Sequence, residues 1–381
     1  MLDDEKLMKI ISWGLSKENK EQIKEKLSEG KLQKIELGKN HTKGDELIEI
    51  IKEIKSSGAE LESLVLTDNK LGEELLLVLK ELMADKKRPH SLVIEKMLDE
   101  KTEDYTLEML GEVKIRRLGL MENKLKKAGK IVQIIKTNEE LEELDLSANQ
   151  FEKMEMNEIL RALKEHERLE KLRLRNTRMD GETAIELQDL LECNKKIKEI
   201  DLSWNKIDEG CKKIALALKK NESLESLSLR NTNIKEDTLS ELLESMHQNN
   251  SLKKLDLSLN SIKIKSASSI SEFLALNSCL SCLSLSENFL QCEGISSLSL
   301  SLSNNKFLTH LDVSMNNLQS SGASALAKNL SKTCFLSYLN ISENNIGTLS
   351  FFFFFFFFFY SHFLDFKNLN KTKIIIKNKN K

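Results

Sequence analysis

A single proline in 381 residues leaves no room for a collagen-like or proline-rich extended chain. No charge of one sign dominates either: 58 Lys and Arg stand against 60 Asp and Glu, a formal charge of -2 with a pI near 6.4. A chain so close to neutral has no global basic field with which to grip a phosphate backbone, so no nucleic-acid partner is expected. At 31% charged and 40% apolar residues it is neither a disordered polyanion nor a polytopic membrane protein. The start, Met1-Leu2-Asp3-Asp4-Glu5-Lys6, lacks the cationic and apolar regions of a secretory signal. A cytoplasmic location is therefore expected, with the six cysteines reduced.

Catalytic signatures are missing too. There is no GxxxxGK[ST] phosphate loop, no HExxH and no GxSxG. The only CxxC is Cys279-Leu-Ser-Cys282, and no second pair or paired histidine follows to complete four zinc ligands. His41, His90, His166, His247, His310 and His362 are scattered, with no Cys or Ser at a motif spacing. No catalytic residue, cofactor or metal is expected, and the chain reads as no enzyme.

What the chain does have is self-similarity. Leu141-Glu-Glu-Leu144-Asp-Leu146-Ser-Ala-Asn149-Gln-Phe151 returns from Ile197 through Asn205 to Ile207, and from Leu252 through Asn260 to Ile262. Variants with Thr at the Asn position, Thr177 and Thr232, alternate with them. Starts at Leu141, Leu169, Ile197, Leu224, Leu252, Leu280, Leu308 and Leu336 lie 27 or 28 residues apart. Earlier copies start at Leu32, Leu61 and Ile115, and Pro89-His-Ser-Leu92-Val-Ile94 fills the wider gap as a degenerate copy. In the LxL core alternate side chains face opposite ways, which predicts one short strand with Leu144 and Leu146 inward. The Asn closes the turn, where its amide can both donate and accept. Further on, apolar pairs at i, i+4 such as Ile159/Leu163, Leu187/Leu191 and Leu326/Leu330 predict a helix with one buried face. No strand-turn-helix unit can enclose its own apolar face, so neighbours must stack.

The LxxLxLxxNxI pattern with its period of about 28 residues resembles the leucine-rich repeat family, specifically its ribonuclease-inhibitor-like class, from Leu32 to about Leu349. Leu308-Thr-His-Leu311-Asp-Val313-Ser-Met-Asn316-Asn-Leu318 is similar to repeats of NOD-like receptors and of the Ran GTPase-activating protein. The resemblance implies an α/β solenoid, a right-handed α/β horseshoe with a parallel sheet on the concave face and helices on the convex face. It also implies a protein partner, and leaves a GTPase-activating regulator of a small GTPase as the alternative. No residue here matches a catalytic residue of that second family, and the NACHT module that accompanies such repeats in NOD-like receptors is not in this chain.

The organisation expected is an N-terminal helical cap over 1–31, a repeat array over 32–349 of about 12 copies with the degenerate one near 89–114, and a tail over 350–381 outside the fold. Gly30 is well placed to end the cap helix. The tail opens with nine phenylalanines, Phe351 to Phe359, and ends in a Lys/Asn/Ile-rich stretch. As a membrane anchor it is short of the roughly 20 apolar residues a span needs. The other readings are an aggregation-prone segment and translation of A/T-rich sequence past the end of the array.

A partner would meet the outward strand columns. Asp145, Arg173, Asp201, Ser228, Asp256, Ser284, Asp312 and Asn340 form one, Ser147, Arg175, Ser203, Arg230, Ser258, Ser286, Ser314 and Ser342 a second, and Glu143, Lys171 and Glu199 a third. One reading is a set of charge ladders that keep the sheet soluble, each pair contributing roughly 0–1 kcal/mol. The other is a partner-binding patch of Lys171, Arg173, Arg175, Trp204, Arg230 and Leu259, cationic and aromatic and suited to an acidic protein surface.

Overall fold

The computed structural model describes residues 7–11, 17–30, 32–38, 44–330, 335–347 and 373–375. The chain divides into two compact units, Met1–Arg178 and Met179–Lys381.

In the first unit strands and helices alternate without exception: β1 (Leu7–Ile11), α1 (Lys17–Ser28), β2 (Lys34–Gly38), α2 (Gly44–Ser57), β3 (Ser63–Thr67), α3 (Glu73–Met83), β4 (Ser91–Glu95), α4 (Glu103–Glu112), β5 (Arg117–Gly119), α5 (Gly129–Thr137), β6 (Glu143–Asp145), α6 (Lys153–Leu163) and β7 (Lys171–Arg173). Each strand pairs in parallel with the next, β1 to β7 in sequence order. The degenerate copy supplies β4, with Leu92 and Ile94 fully buried. Gly30 ends α1 with φ of +64°, its N–H on the Leu27 carbonyl at 3.1 Å. The sequence does not announce β1, a strand ahead of the cap helix that pairs with β2 from Leu7↔Lys34 to Ile11↔Gly38.

The second unit alternates in the same way up to β13, after which β14 is the next described element: α7 (Ala184–Cys193), β8 (Glu199–Asp201), α8 (Cys211–Leu218), β9 (Ser226–Ser228), α9 (Glu236–Ser245), β10 (Lys254–Asp256), α10 (Ala267–Leu276), β11 (Cys282–Ser284), α11 (Gln291–Leu302), β12 (His310–Asp312), α12 (Gln319–Leu330), β13 (Tyr338–Asn340) and β14 (Lys373–Ile375). Strands β8 to β14 pair in parallel, again in sequence order. Of the tail, Lys373–Ile375 pairs with Tyr338–Asn340, and the phenylalanine run lies outside the described residues. Among the described residues no helix is long and apolar enough to cross a membrane.

The core forms as the periodicity dictates. The i, i+4 helix pairs, including Ile159/Leu163, Leu187/Leu191 and Leu326/Leu330, are all buried. So are Leu144 and Leu146 and their counterparts in β2 to β13, each side chain contributing about 1.5–3 kcal/mol of burial. Helices pack on their sequence neighbours within each unit, and the opposite sheet face carries the outward columns.

Two ladders of buried amides fasten repeat to repeat. The first is the Asn of the motif. Asn149 Nδ2 donates to the Leu120 and Leu146 carbonyls at 2.8 and 2.9 Å, and its Oδ1 accepts the N–H groups of Asn123 and Leu125 at 3.1 and 3.0 Å. In the second unit Asn288 does the same for Leu257, Leu285, Asn260 and Ile262. Thr232, with one hydroxyl, donates to Leu229 O at 2.7 Å and can only lean on Asn260 Oδ1 at 3.4 Å. The sequence reading passes over the second ladder. Asn194, Asn221, Asn249, Asn277 and Asn305 stand three residues before their repeat starts, all buried. Asn277 Nδ2 reaches Met246 O at 3.0 Å while its Oδ1 takes the N–H of Cys279 and Leu280.

His166 occupies that position in the first unit. Its Nδ1 accepts from the N–H groups of Arg168 and Leu169 at 3.3 and 3.1 Å, so Nε2 carries the hydrogen and donates to Asn138 O at 3.1 Å. This histidine substitutes for an asparagine and holds a turn.

The residue before each motif Asn or Thr takes a left-handed conformation whatever its side chain: Ala148, Asn176, Trp204, Asn231, Leu259, Glu287, Met315 and Glu343 have φ between 52° and 64°. Their N–H groups explain it. Trp204 N–H donates to Arg230 O at 2.8 Å and Leu259 N–H to Ser286 O at 3.0 Å, bonds between successive repeats that over-determine the backbone. For a non-glycine residue this conformation costs about 1–2 kcal/mol, and the side chain is held out at the end of the strand.

Candidate functional site

The outward face of the second unit is polar and internally bonded. Asp256 Oδ1 accepts the Ser258 N–H at 2.9 Å and the Ser258 hydroxyl at 2.5 Å, and its Oδ2 accepts Ser228 Oγ–H at 3.4 Å. Ser258 Oγ lies 2.7 Å from Ser284 Oγ and 3.1 Å from Ser286 Oγ. Asp312 repeats the pattern, taking Ser314 Oγ–H at 2.6 Å and Asn340 Nδ2–H at 2.9 Å. Asp201 and Ser203 do likewise, with Ser203 Oγ 2.8 Å from Ser228 Oγ. The Asp-x-Ser tripeptide recurs for a local reason: the carboxylate ties down the backbone two residues on, and it or its serine bonds a neighbouring strand. In the adjoining column Cys282, His310 and Tyr338 stand in register, and the two rings stack with centroids 5.7 Å apart. Burial, then Asp312, pushes the Tyr338 phenol up from its usual value.

Of the candidate patch, Trp204, Arg230 and Leu259 belong to this unit. Trp204 is exposed at the strand end and Leu259 half-buried two repeats on. Arg230 is already engaged, its guanidinium bonded to Glu287 across two repeats. Lys171, Arg173 and Arg175 belong to the first unit. Arg173 is bonded to Glu143 on β6, Arg175 is exposed and Lys171 half-buried. Arg173 and Arg230 are therefore rungs of charge ladders.

The first unit's outward face differs in a way the sequence reading misses. Its columns before Leu141 put Val65, Val93 and Gly119 in register on β3, β4 and β5, with Met121 just beyond. These residues floor a cavity of about 290 Å³ that is open to solvent. Arg117, paired to Glu62 at 2.6 Å, and Arg173, paired to Glu143, line it together with those carboxylates and Asp145. Glycine keeps the floor open at 119: a Cβ there would lie 3.0 Å from Met121 Sδ and 3.1 and 3.2 Å from the Val93 methyls, which would have to shift to admit it. Two residues along β4 on the same face, Glu95 has its carboxyl pushed up, first by burial, then by the Glu122 carboxylate, with Glu36 and Asp145 adding to it against Lys96. The signal was in the sequence, as outward valines where other copies carry Asp or Ser.

The described cysteines are free thiols. Cys279 Sγ–H bonds Asn250 O at 3.0 Å, Cys282 faces outward, and both are free thiols. Cys211 is buried in α8 with its thiol pushed up to about 12, an inert core group. Among the described residues no group of three or more His, Cys, Asp or Glu is placed to hold a metal ion.

A leucine-rich repeat family model matches residues 193–215, 248–271 and 304–327. No curated protein matches the chain. Among solved structures, the leucine-rich repeat-containing protein LegL7 from Legionella pneumophila is 20% identical over 72% of this chain and 87% of that one, with a TM-score of 0.50. The yeast Rad7 and Elc1 complex gives 19% identity over 76% of this chain and 71% of that one, with a TM-score of 0.51. A structure of leiomodin-1 actin-binding site 2 is 28% identical over 27% of this chain, with a TM-score of 0.26; the chain spans 62% of its length. At these identities the likeness is one of fold. Strand, asparagine turn and helix recur in both units, the three matched segments fall on alternate repeats, and the chain is an α/β leucine-rich repeat solenoid.

Proposed function

We propose that the protein is a non-enzymatic interaction module whose exposed sheet faces bind a protein partner. One observation carries the reading: in both units polar side chains of the outward columns are tied to one another by ion pairs or hydrogen bonds before any partner arrives. Such a surface loses little conformational freedom on binding, the condition under which a broad face gives useful affinity. Trp204 and Leu259 are the anchors of the second unit, held out by a backbone that cannot relax. Lys171, Arg173 and Arg175 supply the cationic edge of the first, and the pairing of Arg173 and Arg230 makes them orienting groups rather than free charges. The Rad7 structure, solved as a complex with Elc1, is a neighbour consistent with such a role. The GTPase-regulator alternative has no residue in the array to carry it.

Affinity capture with the full chain, read by mass spectrometry, tests this. A protein retained by the wild type should be lost on combining Trp204→Ala with Arg175→Glu, while circular dichroism stays unchanged. Retention by a folded double variant equal to wild type refutes the site assignment.

A further inference from the structure

The apolar depression in the first unit is a departure from the rule that outward columns are polar, and the departure is built. Val65 and Val93 lie side by side in register, and Gly119 beside them leaves the space a side chain would take. At about 290 Å³ the cavity lies just below the roughly 300–1,000 Å³ of sites that engulf small ligands, and it is open to solvent. That is the scale of one large side chain inserted from above. Its arginines are occupied by Glu62 and Glu143. Beyond the lining, two residues along β4 from Val93 on the same face, stands the carboxylate of Glu95. Glu95 has carboxylates for neighbours, and the one ammonium beside it, Lys96, is bonded to Glu122 at 2.9 Å. Among the described residues no cation bonds Glu95.

We infer that this depression receives an anchor from a partner protein: a Leu, Met or Phe side chain resting on Val65, Val93, Gly119 and Met121, followed in the partner's chain by a Lys or Arg that meets Glu95. The inference rests on the interaction reading above and narrows it to one place and one chemistry. A cation arriving at Glu95 relieves the crowding of like charge there, and the apolar side chain covers a floor that otherwise faces water. Small apolar pockets flanked by a charge are where interface energy concentrates.

The test uses the full chain and an array of immobilised nonapeptides with Gly/Ser flanks and one varied central pair. The first position is Leu, Met, Phe or Ser; the second is Lys, Arg, Gln or Glu. Retention should favour Leu, Met or Phe followed by Lys or Arg, at least tenfold over pairs with Ser first or Glu second. Val93→Asp should abolish it, and Glu95→Lys should invert the charge preference toward Leu-Glu. The inversion separates recognition from a folding defect, since a merely damaged face would lose all peptides alike. Retention indifferent to the pair, retention that both variants leave unchanged, or no retention at all overturns the inference. If the array is inert while the wild-type chain still captures a protein that Trp204→Ala with Arg175→Glu releases, only the pocket is rejected. If neither peptide nor protein is held, both readings are.

Discussion

The two units share a backbone plan and differ in what they show to solvent. Both hang on the same buried asparagines, yet the second unit spends its outward columns on Asp and Ser that bond each other, while the first opens an apolar floor between ion pairs. The difference teaches that the repeat constrains inward and turn positions by packing and amide satisfaction, and leaves the outward positions free to diverge. Substitutions should therefore fall into two classes: those in the ladders act on stability in either unit, and those on the faces act on binding.

The largest effect is expected in the ladders. Asn260 gives its amide to the Leu229, Leu257 and Ser258 carbonyls and takes the N–H groups of Thr232 and Ile234. Asn260→Leu strands at least two buried N–H groups at about 1–3 kcal/mol each, so urea unfolding should show a loss of roughly 2–6 kcal/mol. Asn123→Leu in the first unit should cost a similar amount, since Asn123 takes the N–H groups of Met97 and Leu98. A loss confined to one unit would break the claim of a shared scaffold.

His166 sharpens the same point at smaller amplitude. His166→Asn restores the residue its ladder uses elsewhere and should change stability by less than about 1 kcal/mol. His166→Leu leaves the Arg168 and Leu169 N–H groups without their acceptor and should cost about 2 kcal/mol or more. Equal losses from both variants in a thermal melt would show that this turn is held by packing.

How far the sequence foretold this follows the same division. Leu144, Leu146 and the i, i+4 helix pairs are legible because burial forces a strict period, and Asn149 because one residue type recurs at one offset. Asn277 and its fellows recur just as regularly, but they fall before the repeat start, where attention to the leucine core does not reach. The pocket was harder to see. Val65, Val93 and Gly119 are unremarkable singly and meaningful only when strand register sets them side by side. The outward columns read in one dimension either as charge ladders or as a partner patch, and only the strand register picks out Glu143 and Glu287 as the mates of Arg173 and Arg230.

The smallest effect tests the faces through pH. Glu95 has its folded-state carboxyl raised above the ordinary 4.5, by burial first and neighbouring carboxylates second. A raised carboxyl means that the folded chain holds this proton more tightly than the unfolded one, so ionised Glu95 opposes folding at neutral pH. That penalty shrinks as pH falls through the folded-state value and is gone below the unfolded one. Glu95→Gln should thus raise the melting temperature modestly at pH 7, with the gain closing below about pH 4.5. Asp256 in the second unit accepts from serine hydroxyls and a backbone N–H, and Asp256→Asn, which turns one of those acceptors into a donor, should lower stability at pH 7. Opposite signs at the two carboxylates would show that one face is poised to accept a charge and the other has already satisfied its own. Equal signs would reduce the contrast between the units to composition alone.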